Sequence, residues 1–271
     1  MKSGISQWAF PVDMPTEEAI HRAGEIGFQS LELCVGENET LHIDATESDI
    51  ANVLRAAEKS NVQLLSVATG LGWKYPMTSP DPKLREQAKE AMTNTMRIAH
   101  WAGIDSVLVV PGIVTPEVRY DVALENAIST LRELLPVAEQ FKVCMAIENV
   151  WNKFLLSPTE MRDFVDQFDS PYVGAFFDIG NILPYGYPEQ WISILGARIK
   201  KVHAKDFRVD VGNLNGFVML MEGDVNWPIV MKALREIGYD GPLTAEYWRY
   251  THSQNAMLRH CKASLDAILS L

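Results

Sequence analysis

Four titratable side chains stand where an apolar β-strand has no packing reason to carry them. Glu148 follows the apolar run CMAI, and Asp178 follows AFF. His203 follows KV, and Glu246 follows LTA. Charged groups are rarely buried in proteins unless they are paired or bind a metal. The three carboxylates and the imidazole therefore indicate chemistry at the ends of four strands.

Each residue taken alone also has an ordinary structural interpretation. A single Asp or Glu at a strand end often caps a helix or anchors a loop, and a single buried histidine is more often a core residue. Their joint occurrence at the ends of four consecutive strands favours a functional site, because such ends lie side by side around the mouth of a barrel.

A divalent cation is the simplest partner for this group. Carboxylates held close together repel one another and resist ionisation. Three oxygen donors and one nitrogen donor suit Mn²⁺, Mg²⁺ or Co²⁺, with coordination positions left for substrate oxygens. Zn²⁺ is also possible, although thiolate or multi-histidine sets are its commoner ligands. We therefore predict one divalent metal ion, with Mn²⁺ favoured over the others. Its predicted ligands are Glu148, Asp178, His203 and Glu246.

The elements that must position these residues are short apolar runs alternating with amphipathic segments. The predicted strands are Gly4–Trp8, Ser30–Val35, Gln63–Ala68, Ser106–Val110, Val143–Glu148, Val173–Asp178, Ile199–His203 and Leu243–Glu246. The predicted helices are Glu17–Ile26, Asp49–Ser60, Lys83–Trp101, Val122–Gln140, Thr159–Phe168, Trp191–Leu195, Trp227–Ile237 and Ala256–Leu269. This alternation predicts a parallel sheet with crossover helices, closed as one (β/α)8 barrel domain over residues 1–271. The alternative, an open doubly wound sheet, would be favoured by a GxGxxG turn, which the sequence lacks.

Loop lengths distinguish the two ends of the predicted barrel. Links from helix to strand are short, and Gly27, Gly103 and Gly238 are each predicted to end a helix in the left-handed conformation. Links from strand to helix are long, up to Ala204–Asn226. In a barrel these long loops lie at the C-terminal face, where active sites sit.

Composition and charge exclude several classes of function. The formal net charge of −11 argues against nucleic acid as the main partner, because phosphate backbones require clustered Lys and Arg. Three cysteines without a CxxC spacing predict no disulfide framework. The first ten residues contain one lysine and no long apolar run, so we expect no signal peptide, no membrane span and a cytoplasmic location.

The strand-end motifs resemble those of a known family. They read AIEN at 146–149, FDIGN at 177–181, VHAKD at 202–206 and TAEYW at 244–248. With SPD at 79–81 and GDVNW at 223–227, they resemble the xylose isomerase-like barrels of sugar isomerases and epimerases over nearly the whole chain. Within these barrels the sequence is most similar to the ketose 3-epimerases, a group that includes D-tagatose 3-epimerase and L-ribulose-5-phosphate (L-xylulose-5-phosphate) 3-epimerase.

The resemblance implies a metal-dependent epimerase that inverts C3 of a ketose or ketose phosphate through a cis-enediolate. Glu148 and Glu246 would then be both metal ligands and acid/base residues, whereas Asp178 and His203 would be ligands only. The physical logic agrees, because a metal stabilises the enediolate and inversion needs one carboxylate on each face of the substrate. The resemblance also implies a homodimer or homotetramer.

Three other functions compete with this interpretation. An aldose–ketose isomerase, or another proton-transfer enzyme acting on a keto-sugar, can use the same ligands. The second competing function is that of an endonuclease of the same fold. Abasic-site nucleases that resemble this superfamily use several zinc ions and many histidines, whereas this chain has six histidines and a net negative charge. A non-catalytic sugar-binding or partner-subunit barrel would not need a full ligand set with two candidate bases.

Further residues are candidates for binding the substrate, each with a structural alternative. Glu32 either bonds a sugar hydroxyl or anchors a loop. Asn181 stands where tagatose-type enzymes carry a histidine, which favours the sugar-phosphate branch. Lys205 lies two residues after a predicted ligand and can bind anionic oxygens, and aromatic residues on the long loops can line the sugar pocket. The predicted substrate-binding residues are Glu32, Asn181, Lys205, Arg208, Trp73 and Trp151.

Overall fold

Eight parallel strands close into a barrel in the computed structural model, which describes residues 1–247 and 250–271. Each strand pairs with the next along the chain, and the last pairs with the first. The predicted (β/α)8 barrel is confirmed. The strands are β1 (Lys2–Ser6), β2 (Ser30–Gly36), β3 (Gln63–Ala68), β4 (Ser106–Val109), β5 (Cys144–Glu148), β6 (Val173–Asp178), β7 (Ile199–Ala204) and β8 (Pro242–Ala245).

Eight longer α-helices join these strands and cover the barrel. Gly27, Gly103 and Gly238 adopt φ of +98°, +68° and +75° after their helices, as predicted. In the part of the chain that the structure describes, no helix combines the length and apolarity needed to cross a membrane. The helices are α1 (Thr16–Ile26), α2 (Glu47–Ser60), α3 (Pro82–Trp101), α4 (Tyr120–Phe141), α5 (Pro158–Asp166), α6 (Pro188–Leu195), α7 (Trp227–Glu236) and α8 (Gln254–Leu269).

The first strand and helix α6 depart from their predicted bounds for identifiable reasons, and several other element ends differ by one or two residues. The first strand was predicted over Gly4–Trp8 but lies over Lys2–Ser6, and the next three residues form a 3-10 turn. In that turn the Gln7 amide donates to Thr16 Oγ1 at 2.9 Å and accepts from Cys34 N at 3.2 Å, so it links the start of α1 to β2 instead of extending the sheet. Helix α6 begins at Pro188, three residues before the predicted start, because proline is well suited to the first helical turn.

The buried side chains fall into two sets. The larger core lies between the strands and the helices and includes Leu33, Val67 and Ile147. A smaller apolar cluster contains Ala68, Leu108, Ala146 and Phe176. Because successive strand residues point to opposite faces, Phe176 lies on the same face of β6 as Asp178. The smaller cluster therefore lies inside the barrel, beneath its mouth.

The long loop between β7 and α7 is organised by one buried carboxylate. Asp206 Oδ1 accepts from Phe207 N at 2.9 Å and Val225 N at 3.2 Å. Its Oδ2 accepts from Met221 N at 2.8 Å and from the Trp227 indole at 3.0 Å. These four bonds join the start and the end of the loop. A Cβ on Gly223 would lie 2.2 Å from Asp206 Oδ1, so the loop can pass the carboxylate only with glycine at that position.

Removal of this carboxylate is expected to destabilise the protein. Asp206→Ala leaves buried N–H groups without an acceptor, and we expect a loss of about 2–4 kcal/mol in the free energy of unfolding. Asp206→Asn keeps one acceptor oxygen and should lose less. Urea denaturation of both variants measures this, and an unchanged midpoint for Asp206→Ala would show that the loop does not depend on Asp206.

Candidate metal centre and active site

The four predicted metal ligands converge at the C-terminal mouth of the barrel. Glu148 and Asp178 are the last residues of β5 and β6, His203 lies near the end of β7, and Glu246 directly follows β8. One ligand atom from each lies within 4.8 Å of those of the other three. Trp248, the last residue of the motif that contains Glu246, lies outside the described residues.

His203 stands at the centre of this group. Its Nδ1 lies 2.9 Å from Glu246 Oε2, 3.3 Å from Glu148 Oε1 and 3.9 Å from Asp178 Oδ2. Its Nε2 points the other way and lies 2.9 Å from Glu32 Oε1. The ring therefore presents one nitrogen to the three predicted carboxylate ligands and the other to a carboxylate in the barrel interior.

Asp178 has one satisfied oxygen and one that is not. Oδ1 accepts from Asn181 N at 2.8 Å. Oδ2 is buried and has no hydrogen-bond partner among the described residues, although Lys205 Nζ lies 3.1 Å away. The same ammonium lies 2.9 Å from Glu246 Oε2. Buried polar atoms without a hydrogen bond are uncommon, and a carboxylate oxygen left in this way fits a cation ligand. The residues present therefore fit a divalent metal.

The local electrostatics separate the two glutamates. Burial raises the pKa of Glu148 to about 7, against the lowering effect of His203 and Lys205. Burial also tends to raise the pKa of Glu246, but the nearby Lys205 and His203 hold it well below its usual range. Carboxyl groups whose environments drive their pKa values apart can divide the roles of acid and base.

The other members of the cluster respond to the same charges. Burial alone would lower the pKa of His203, yet the carboxylates of Glu32 and Glu246 raise it well above its usual range. Burial raises the pKa of the Asp178 carboxyl. In the absence of a metal, Glu148, Asp178 and His203 thus tend to retain protons, whereas Glu246 does not.

A pair of asparagines fixes the loops after β5 and β6. Asn149 donates to Asp178 O at 2.8 Å and accepts from Asp178 N at 2.9 Å. Asn181 donates to Asn149 O at 3.0 Å, and the Trp151 indole donates to Asn181 O at 2.7 Å. The predictions did not include Asn149. The recurrence of Asn shortly after the strand-end acids Glu148 and Asp178 was the available signal for it.

The predicted substrate-binding residues occupy different positions. Lys205 lies inside the cluster, while the Asn181 side chain is engaged between two loops. The Trp151 ring packs against Phe207 and Phe217, with centroids 5.5 and 5.3 Å apart. Gly180 allows this arrangement, because a Cβ there would lie 2.7 Å from Lys205 Cβ.

The three remaining predicted substrate-binding residues lie farther from the centre or behind it. Glu32 lies on the far side of the His203 ring, and its second oxygen accepts from Ser66 Oγ at 2.8 Å. Arg208 is exposed and donates to Glu222 O at 3.2 Å. Trp73 is 45% exposed in a short helix at the rim. Their part in substrate binding stays a prediction.

A cavity of about 260 Å³ adjoins the cluster. It lies between the loops that follow β7 and β8, and it reaches both the ammonium and one predicted base. Its described lining residues are Lys205, Asp206, Phe217, Val218, Met219, Glu222, Glu246, Tyr247 and Tyr250. Apolar walls with a few convergent polar groups are typical of small-molecule sites.

Comparison with known proteins finds relatives that match most of the chain and most of their own length. The putative L-ribulose-5-phosphate 3-epimerase SgbU of Escherichia coli K12 is 24% identical over 251 residues, covering 90% of this chain and 88% of SgbU. The L-ribulose-5-phosphate 3-epimerase UlaE of Escherichia coli O1:K1 is 25% identical over 259 residues, covering 92% of this chain and 87% of UlaE. The predicted resemblance to ketose 3-epimerases is confirmed by these relatives.

Structural comparison agrees at the level of the fold. The crystal structure of a D-tagatose 3-epimerase-like protein matches with a TM-score of 0.82 at 22% identity, covering 100% of this chain and 99% of that protein. A family model described as the xylose isomerase-like TIM barrel matches residues 20–267. The chain belongs to the xylose isomerase-like TIM barrel family.

Proposed function

We propose that the protein is a divalent-metal-dependent epimerase that inverts C3 of a ketose or ketose phosphate, with Mn²⁺ as its metal. The observation that carries the proposal is the pair Glu148 and Glu246. Both contact His203 Nδ1, they come from strands three places apart in the barrel, and their pKa values are driven in opposite directions. Inversion at carbon requires such a pair, because the proton leaves one face and returns to the other.

The curated relatives support this reaction. An isomerase-class sugar epimerase was predicted, and the names of SgbU and UlaE confirm that class. Both names specify L-ribulose 5-phosphate, which makes this sugar phosphate the first substrate to test, followed by the unphosphorylated ketoses. The acidic charge, with no basic surface predicted from the sequence, fits a small-molecule substrate better than a nucleic acid.

Each residue of the cluster has a defined part in the proposed reaction. When bound by Glu148, Asp178, His203 and Glu246, the metal supplies stabilisation for negative charge on the substrate oxygens. In one direction Glu246, whose pKa the nearby Lys205 and His203 lower, accepts the C3 proton, and Glu148, whose pKa burial raises in the metal-free protein, delivers a proton to the opposite face. In the reverse direction the two glutamates exchange roles.

The charge of the cluster fits this assignment. Glu32, Glu148, Asp178 and Glu246 carry four negative charges when ionised, and one divalent cation with the Lys205 ammonium leaves a single negative charge uncompensated. One proton on either Glu148 or Glu246 neutralises it. Buried charge is costly unless compensated, so the surroundings favour the state in which one glutamate is an acid and the other a base.

The metal ligands can be tested by substitution. Asp178→Asn and His203→Ala should remove most bound Mn²⁺ while leaving the fold intact, because the barrel core lies below the mouth. Metal analysis of the purified variants, with circular dichroism for the fold, measures this. Asp206→Asn is the matched control, since it neutralises a buried carboxylate beside the site that is not a predicted ligand. Full metal occupancy in either ligand variant would contradict the assignment.

The two glutamates should fail in different ways. Gln retains an oxygen ligand but cannot accept a proton at neutral pH. We expect Glu148→Gln and Glu246→Gln each to lose epimerisation by more than the ~10²–10⁴-fold typical of one acid–base group. Each should still exchange the C3 proton of one epimer slowly with solvent, and the epimer should differ between the variants. Proton NMR in D₂O follows this exchange.

Two results of that experiment would point elsewhere. The same epimer preference in both variants, or near-normal epimerisation in either, would contradict the two-base assignment. A product with a moved carbonyl, rather than deuterium at C3, would indicate an aldose–ketose isomerase.

Metal affinity should depend on pH. Without metal the carboxylates of Glu32 and Glu246 raise the pKa of His203 well above its usual range, and a protonated imidazole nitrogen cannot bind a metal, so His203 must lose a proton when the metal binds. Affinity is therefore expected to fall as the pH drops from 8 to 6, by about tenfold per pH unit for each proton released. Calorimetry in buffers of different ionisation enthalpy counts the protons, and equal affinity at pH 6 and pH 8 would contradict the expectation.

A further inference from the structure

Glu32 occupies a position that a substrate-binding residue does not need. It is 1% exposed, and its two oxygens have separate partners, His203 Nε2 at 2.9 Å and Ser66 Oγ at 2.8 Å. Ser66 is equally buried. Because both oxygens are engaged below the His203 ring, Glu32 contacts the metal centre through that ring among the described residues.

The strand pairing shows how this contact is built. Strands β2 and β3 pair Leu31 with Leu64, but the next pair is Glu32 with Ser66, so the register shifts by one residue and Leu65 is passed over. Without this irregularity Glu32 would stand opposite Leu65, whose side chain can neither donate nor accept a hydrogen bond. Irregularities of this kind commonly re-aim a side chain next to a functional site.

The chemistry of imidazole gives the contact a consequence. A neutral histidine has one N–H and one lone pair, and only the nitrogen with the lone pair can bind a metal. An ionised Glu32 can only accept, so it holds the hydrogen on Nε2 and leaves the lone pair on Nδ1. That nitrogen faces Glu148, Asp178 and Glu246. The Phe176 ring, 4.4 Å from the imidazole centroid, restricts the ring from turning over.

From these contacts we infer that Glu32, held by Ser66, is a positioning residue that selects Nδ1 of His203 as the metal-binding nitrogen. This inference rests on the metal site of the proposed function. It assigns to Glu32 a role different from the substrate contact predicted from the sequence, and it makes Ser66 part of the same device. Carboxylates that accept from a ligating histidine typically change metal affinity by about 10–100-fold when they are replaced.

Three variants separate the parts of the device, and all are measured without sugar. Glu32→Leu removes the acceptor at similar volume, and we expect Mn²⁺ affinity, measured by chelator competition, to fall by about 10–100-fold. Glu32→Gln retains an oxygen that can accept from Nε2, so it should lose less. Ser66→Ala removes the hydrogen bond to one Glu32 oxygen, and it should lower Mn²⁺ affinity by less than Glu32→Leu does. If Glu32→Leu fails to fold, the other two variants still test the inference.

A spectroscopic measurement identifies the nitrogen directly. In protein labelled with ¹⁵N-histidine and loaded with diamagnetic Zn²⁺, we expect the His203 signals of an imidazole metallated at Nδ1 and protonated at Nε2. Coordination through Nε2 would overturn the inference. So would unchanged metal affinity in Glu32→Leu, whether or not its KM for sugar rises, because Glu32 would then act on the substrate or not at all.

Failure of the metal site itself gives a different result. If His203→Ala binds Mn²⁺ as tightly as the unmodified protein, the proposed ligand set is wrong, irrespective of the Glu32 variants. If His203→Ala loses the metal while all Glu32 and Ser66 variants keep it, the ligand set stands and only the positioning role of Glu32 is wrong.

Discussion

The structure depends on the crowding of carboxyl groups around one imidazole at the mouth of the barrel. Glu32, Glu148 and Glu246 all lie within 3.3 Å of a His203 nitrogen, in a place that water scarcely reaches. Such a group raises the energy of the folded protein unless positive charge compensates it. Lys205 supplies one compensating charge, and the oxygen of Asp178 that lacks a hydrogen bond marks where another belongs. The apolar barrel beneath the cluster stabilises the fold enough to offset the unfavourable free energy of these buried charges.

The surrounding loops are built to hold these side chains still. The Asn149–Asn181 pair links the ends of β5 and β6 by hydrogen bonds. Asp206 links the two ends of the loop that follows β7 in the same way. The aromatic rings of Trp151, Phe207 and Phe217 fill the space between these loops. Catalytic groups need to be held close to their productive geometry, and here the supports are backbone hydrogen bonds and packed rings.

Much of this arrangement could be predicted from the sequence. The strand-end charges stand out because apolar strands have no other reason to contain them, and the order of the strands fixes which ends are neighbours. The first strand was misplaced because the Gln7 amide is used in the fold and not in the sheet. Helix ends at Asn61 and Lys142, both left-handed at φ of 52° and 56°, lack the glycine that signals such an end.

The roles of the polar residues behind the cluster could not be predicted in the same way. Whether Glu32 faces the sugar or the imidazole depends on a one-residue irregularity between β2 and β3, and a sequence does not show which strand residue is passed over. The same holds for Asp206, whose four donors range in sequence from Phe207 to Trp227. Pairing partners in three dimensions, rather than residue types, decide both cases.

The division of the barrel into two halves has a consequence for how such a protein can diversify. The four predicted ligands come from β5 to β8, and the loops there are cross-linked by buried hydrogen bonds. The loops after β3 and β4 carry none of the ligands, yet they reach the same face of the barrel. The loop after β4 is hydrogen-bonded to the loop after β5, through Asn152 and Gly112 O at 2.8 Å. A lineage can therefore change the loop after β3 most freely, and so reach new substrates, while the ligands of the second half are kept.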